Sequence, residues 1–259
     1  MKEDYTVKEL MACWLSRDLT DGESVAVGAN FPVPRAATIL AHLEHGPNMK
    51  ASMGSFHTNL IHAEHIPALR YFSDFRPHCL AEAVVYLPID IFCFHKLDVF
   101  YIGGIQIDAH GNTNLIGIPS KDNKFKFRGP GPIGTTTLAT MARRYYIVTD
   151  NHAPRVFVER CDIISSFGYG DGTPGLRKKL NMPGSGPKYC ITPLCVFDFH
   201  PDTNRMRLLS LHPGVTLDQV LENTGFKPEI PESISETEPP TTRELEILRQ
   251  RVDLEGNLR

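Results

Sequence analysis

Gly129, Gly131 and Gly134, in the stretch RGPGPIGT from Arg128 to Thr135, stand at the G-x-G-x-x-G spacing. With that spacing, backbone amides at a helix N-terminus take the pyrophosphate of a dinucleotide. A helix is expected after the loop, and Asp150 follows the strand-like RYYIVT where an acidic residue would take the ribose hydroxyls. Two of the intervening positions, however, are Pro130 and Pro132, which have no N–H to offer. The run before the loop, NKFKFR, alternates charged and aromatic residues, which suits a half-exposed strand better than the fully buried parallel strand of a dinucleotide fold. The segment reads instead as a Gly/Pro-rich substrate loop. Lys121, Lys124, Lys126 and Arg128 face only Asp122, so this segment is either an edge strand protected by lysines or a contact for an anion such as phosphate.

Other candidate chemistry is thinner. His62, Glu64 and His65 (HAEH), with His57 nearby, form the densest cluster among eleven histidines. Ligands three residues apart can share a helix face, but no third ligand stands at a recognisable spacing, so no metal is expected. MGSFH around Ser55 is not the G-x-S-x-G elbow of a serine hydrolase, and GSGPK around Ser185 is loop-like. Glu44, Glu64 and Glu82 are isolated carboxylates that read as solvated surface. Residue types alone supply no complete catalytic set.

The elements that would carry these residues are those of an α/β sheet. Val7, Leu10, Met11, Trp14 and Leu15 recur at helical spacing, SVAVG is a short apolar strand, and RAATILAHL after Pro34 predicts a second helix ending near Gly46. DVFYIGGIQIDAHGNTNLIGI reads as a strand, a turn around His110, Gly111 and Asn112, and a returning strand. YYIVTD and RVFVERCDII are further strands, and CVFDF, HPDTN and RMRLLSL make a hairpin. Beyond Gly225, KPEIPESISETEPPTT is rich in proline and acid and predicts an extended arm. TRELEILRQRV then offers Leu245, Leu248 and Val252 to another surface as one short helix. The expected organisation is one domain over 1–226, with 227–259 as an arm and helix packing on that domain or on a partner.

A chain of 259 residues, 41% hydrophobic, can bury a sizeable core. A formal net charge of -3 argues against nucleic-acid binding through a strong positive field. Cys13, Cys79, Cys93, Cys161, Cys190 and Cys195 are scattered without a C-x-x-C pair, as expected of reduced, buried thiols. MKEDYTVKEL has neither a basic n-region nor an apolar h-region, and no apolar run approaches a membrane span. A soluble cytoplasmic protein without membrane contact is expected.

Read together, YIGGIQIDAHGNTN, the loop RGPGP, LNMPGSGPK and the closing VLENTGF resemble the β subunit of class I coenzyme A-transferases of the glutaconate and 3-oxoacid group, from about Val25 to Val252. The resemblance implies the α/β fold of that superfamily, an open sheet flanked by helices with an extended C-terminal tail. It also implies a homologous α subunit in an α2β2 assembly, with the active site between unlike subunits. In the transferases a β-subunit glutamate attacks the acyl thioester and carries acyl group and coenzyme A covalently. By the resemblance that position is Ser52 in KASMG, and a serine without an adjacent base cannot replace it. A loop glycine whose amide helps hold the oxyanion corresponds to Pro132, which has no proton to give.

This pair of departures resembles one branch of the family, the actinobacterial hydrolases that open the last carbocyclic rings of steroid-derived coenzyme A thioesters. The reaction it implies is hydrolytic carbon–carbon cleavage of a β-dicarbonyl-type ring ketone, with the general base supplied by a glutamate of the partner subunit. Arg128 is the residue expected to steady the enolate or a carboxylate, the alternative being an ion pair at the subunit interface. Substrate contacts are expected at Asn30, Ser52, Gly103, Gly104, Gln106, Gly129 and Gly131. No cofactor and no metal are expected, coenzyme A being part of the substrate. A true transferase and a non-catalytic scaffold subunit are the rival expectations.

Overall fold

The computed structural model describes residues 4–28, 31–53, 56–59, 84–86, 97–122, 124–132 and 134–259. The chain groups into two compact units, residues 1–101 with 238–259, and residues 102–237. Both mix helices with short strands, the α/β class that the sequence predicts.

The first unit begins with α1 (Val7–Arg17), opened by a capping box in which Thr6 accepts from the Glu9 amide and Glu9 accepts from the Thr6 amide. Leu10, Met11 and Leu15 are buried while Val7 is exposed, so the cap rather than Val7 fixes the first turn. β1 (Ser24–Val27) is buried at every position. α2 (Pro32–Glu44) starts ahead of the predicted RAATILAHL. Its prolines lie in the first turn, where no intrahelical N–H is required and a fixed φ already suits the helix. β2 (Lys50–Met53), β3 (Phe56–Asn59), β4 (Val84–Tyr86) and β5 (Val99–Ile102) give the order β5-β1-β2-β3-β4. β1 is parallel to β2 and β5, so α2 is the crossover of a β-α-β step.

The C-terminal helix (Thr242–Ile247), with its own Thr241/Glu244 capping box, runs on into a π-turn over Leu248–Val252. Leu248 and Val252 are buried. Glu244, 3% exposed, takes both Nε (2.7 Å) and Nη2 (2.6 Å) of Arg17, and Arg249 Nε reaches Glu9 Oε1 at 2.7 Å. The two charge-assisted pairs fasten the C-terminal helix to α1.

In the second unit, β6 (Gln106–Asp108) and β7 (Thr113–Asn114) form the predicted hairpin. Its turn needs Gly111, at φ +70°, against which Phe199 and Pro187 close so tightly that a Cβ would lie 2.8 Å from each. β8 (Gly117–Pro119) and β9 (Phe125–Arg128) pair as a separate two-stranded ribbon. After the glycine loop come α3 (Thr135–Met141), β10 (Arg144–Val148), β11 (Phe157–Val158), the short α4 (Leu176–Lys179), β12 (Pro187–Ile191), β13 (Cys195–Phe199), β14 (Met206–Leu211), α5 (Leu217–Asn223) and β15 (Ser235–Glu236). These strands assemble in the order β15-β14-β13-β12-β10. β13 and β14 are the predicted antiparallel hairpin, whereas β10 and β12 are parallel. The core is aromatic: Tyr145, Tyr146, Phe157 and Phe197 are fully buried. The proline- and acid-rich segment extends along β14, with Glu229 bonded to Met206 and Leu208 through its backbone and β15 parallel to β14.

Cys13, Cys161, Cys190 and Cys195 are free and buried, and burial pushes their thiols up. Among the described residues, no helix is long and apolar enough to cross a membrane.

Candidate functional site

The glycine loop is closed upon itself. The Gly129 amide donates to Ile116 O at 2.8 Å, and the Gly131 amide to Leu115 O at 2.9 Å. Pro130 and Pro132 have none to add. The two amides that would greet a pyrophosphate are therefore spent on backbone carbonyls, and the strand feeding the loop is exposed at all four positions. The dinucleotide reading fails on both counts. The glycines serve the backbone: Gly131 and Gly134 lie at φ +88° and +80°, and a Cβ on Gly129 would sit 2.3 Å from Leu115 O. We expect Gly129→Ala to lower stability by about 2 kcal/mol, read as a shift of the denaturation midpoint in urea at constant slope.

Arg128 ends β9, opposite Gly117, at the mouth of this loop. Its side chain is exposed, with the guanidinium 5.6 Å from the Phe125 ring centroid. Among the described residues no carboxylate pairs with it. An exposed cation beside an aromatic face and a stiff Gly-Pro-Gly-Pro turn is chemically suited to meet an anion.

Beneath the loop lies a knot of buried polar side chains, of which the sequence had singled out Gln106, as a substrate contact, and Asn112, as a turn residue. Asp108, 1% exposed, accepts from the His110 and Asn112 amides (3.0 Å each) and from Asn112 Nδ2. Burial holds its carboxyl above the ordinary carboxylate range, against the pull of those donors. Asn112 Oδ1 in turn accepts from the amides of Gly168 and Gly170, and Gln106 donates to Asp162 at 2.7 Å while accepting from Asn114 at 2.8 Å. Asn114 Oδ1 takes the amides of Ile116 and Gly117, the residues whose neighbourhood holds the glycine loop. The signal was present as QIDAHGNTN, with amides and an acid at alternate positions on both arms of a turn. Gln106, expected at the substrate, thus spends both ends of its amide within this knot. Gly103 and Gly104 are half-buried just before it, and a Cβ on Gly104 would meet Gln106 O at 2.6 Å.

Gly103, Gly104, Gln106, Arg128, Gly129 and Gly131 are gathered within the second unit, on β6, β9 and the loops beside them. Ser52 belongs to the first unit, 5% exposed on β2 in register with Ala26 of β1. Asn30 lies outside the described residues, as do His62, Glu64, His65, Glu82 and the side chain of His57. Among the described residues no group of three or more His, Cys, Asp or Glu is arranged to hold a metal.

Every buried carboxylate among the described residues is already committed. Glu9 and Glu244 hold arginines, Glu23 accepts from the Thr20 amide, Asp108 anchors its knot, and Asp253 accepts from the Asn257 and Leu258 amides. Arg177 is a further residue the sequence did not reveal. Its buried guanidinium donates to the carbonyls of Phe167, Gly168 and Gly184, locking the loops that flank α4, and burial pulls its pKa down. Beside it opens a cleft of about 590 Å³ lined by Tyr169, Thr173, Leu176, Lys178, Met182 and Ser185. None of the expected site residues lines it.

The α/β frame that carries this loop has counterparts among known proteins. Residues 95–223 match the model of the coenzyme A transferase family. The β subunit of glutaconate CoA-transferase from Acidaminococcus fermentans is 30% identical over 259 residues, covering 96% of this chain and 93% of that one. The crystal structure of that enzyme superposes with a TM-score of 0.84 at 26% identity, covering 98% of this chain and 97% of the other. The chain belongs to the coenzyme A transferase family, as a member of the β-subunit type. The β subunit of 3-oxoadipate CoA-transferase from Pseudomonas knackmussii is 40% identical over 154 residues, 60% of this chain and 58% of the relative. The cholesterol ring-cleaving hydrolase IpdB subunit of Rhodococcus jostii is 34% identical over 161 residues, 59% and 58% of the two chains. The match thus spans little more than half the length of these last two relatives.

Proposed function

We propose that this chain is the β subunit of a heteromeric hydrolase that opens a carbocyclic ring of a steroid-derived coenzyme A thioester by hydrolytic carbon–carbon cleavage. The observation that carries the reading is the state of the carboxylates: position 52, where the transferases present a nucleophilic glutamate, holds a buried serine, and each buried carboxylate among the described residues is tied into a structural bond. Pro132 at the oxyanion position, with no N–H, points the same way. The likeness to the IpdB subunit supports the substrate class.

In this reaction a base takes a proton from water, and the hydroxide adds to the ring ketone. The tetrahedral adduct collapses to a carboxylic acid as the carbon–carbon bond breaks, and its electron pair leaves on the other carbon as an enolate, which is then protonated. The base is a glutamate of an α-type partner. Arg128 supplies the positive charge for the enolate or the new carboxylate, and Gly103, Gly104, Gly129 and Gly131 line the substrate path beside it. The protein works in the cytoplasm, as one half of an α2β2 assembly.

A transferase is the second reading, favoured by the 40% identity to the β subunit of the 3-oxoadipate enzyme. The two part when the α/β complex is given an acyl-CoA and a free acid in isotopically labelled water. We expect label in the carboxylate of a ring-opened thioester and no exchange of coenzyme A between acids. Exchange of coenzyme A overturns the hydrolase.

A further inference from the structure

We propose that the β8–β9 ribbon is the arm by which this chain docks on its α-type partner, against a surface that is acidic and offers apolar pockets to Phe125 and Phe127. The inference rests on the heteromeric reading above but not on the reaction.

Cover is confined to the root of the ribbon, where Gly117 is buried and Ile118 half-buried in β8. Its second strand is exposed at every position, Phe125 by 40% and Phe127 by 53%, although two-stranded ribbons with nothing packed on them are marginal in water. An edge strand that lysines merely protect would keep its aromatic residues covered. Here strand alternation sets Phe125 and Phe127 on one face while Lys124 and Lys126 take the other. Adjacent exposed aromatics framed by cations are the composition of an interface core with its rim.

Charge defines the partner. Between Gly117 and Arg128 four cations face one acid, in a chain whose formal net charge is -3. Among the described residues of the ribbon the one ion pair, Lys124 with Asp122, is 3.7 Å long with both side chains largely exposed, and such pairs are worth little. Lys121 and Lys126, which the reaction does not use, have no carboxylate among the described residues. Complementarity therefore calls for an acidic receiving surface.

The arm is also held ready. Asn114 fixes the Ile116 and Gly117 amides at its root, and the Gly129 and Gly131 amides close the other end onto Ile116 and Leu115. The backbone at the root therefore has less conformational freedom to lose on docking, which favours binding.

The test is assembly, not turnover. The chain is co-expressed with the CoA-transferase-type α subunit of its own genome, and the dissociation constant of the complex is measured by sedimentation for the wild type, Lys124→Glu/Lys126→Glu and Phe125→Ser/Phe127→Ser. Each double variant should keep the far-UV spectrum and thermal midpoint of the isolated chain, because the ribbon lies outside the core, and each should weaken association at least about tenfold. The wild-type complex should weaken as salt rises, and the charge-reversed one should respond less. Unchanged association in both variants overturns the proposal, as does a ribbon that instead joins two copies of this chain. A complex that assembles through the ribbon yet exchanges coenzyme A between acids removes the hydrolase and leaves the docking arm intact.

Discussion

Arg128→Ala is expected to lower kcat/KM of the assembled complex about 10²- to 10³-fold, the usual loss on deleting one fixed donor to a developing oxyanion. If the charge acts on the enolate, the loss falls on kcat as well as on kcat/KM, because the enolate develops only as the tetrahedral adduct collapses. Arg128→Lys should recover a minor part: the ammonium keeps the charge but not the planar fork or the stack on Phe125. Steady-state consumption of a ring-acid thioester measures both variants, with the complex quantified alongside because Arg128 also belongs to the ribbon. Normal turnover by Arg128→Ala in an intact complex would take the residue out of the mechanism. A fall in KM-dependent rates alone would assign it to substrate capture.

What the sequence made legible was local. Capping residues, alternation and turn glycines are decided within a few positions, so α1 and the β6–β7 and β13–β14 hairpins stand where pattern alone places them, whereas β9 is a strand as expected but exposed at all four positions rather than half-exposed. The two prolines of the glycine loop were enough to reject a nucleotide site, and the spent amides of Gly129 and Gly131 give the structural form of the same argument. What stayed hidden depends on partners distant along the chain. Gln106 meets Asp162, Asn112 meets Gly168 and Gly170, and Arg177 joins the two loops that flank α4. No periodicity announces such bonds, because each side chain is an ordinary loop polar residue until the fold brings its partner. Gln106 shows the cost of that blindness: a residue placed at the substrate by resemblance is found with its amide engaged in the frame beneath the loop. The place of Ser52 was legible only through resemblance, since one serine in a short strand carries no signal of its own.

Acid should unfold the second unit through two histidines before the carboxylates titrate. His152 lies between the hydroxyls of Thr192 and Thr224 at 2.8 and 2.9 Å, and His212 between Thr237 Oγ1 and Thr192 O at 2.9 and 2.8 Å. Burial pulls each down to about 4, with the neighbouring His212 adding to the effect at His152. Neutral in the fold and basic when unfolded, both bind protons more readily in the unfolded chain. Their contribution is therefore complete above the unfolded value near 6.5 and is lost as pH falls from there toward 4. The loss is on the order of 3 kcal/mol for each ring at most, from the linkage relation. Asp108 runs the other way, since a carboxyl raised by burial is relieved as pH falls, but its effect belongs to the lower end of the window. Urea denaturation at pH 7 and pH 5 should show a marked drop in stability for the wild type. His152→Gln should start less stable at pH 7, having lost ring packing against Phe157 at 4.3 Å, yet show a shallower fall between the two pH values. An equal pH slope in the wild type and in both single glutamine variants would mean that these rings titrate normally and that burial does not hold them neutral.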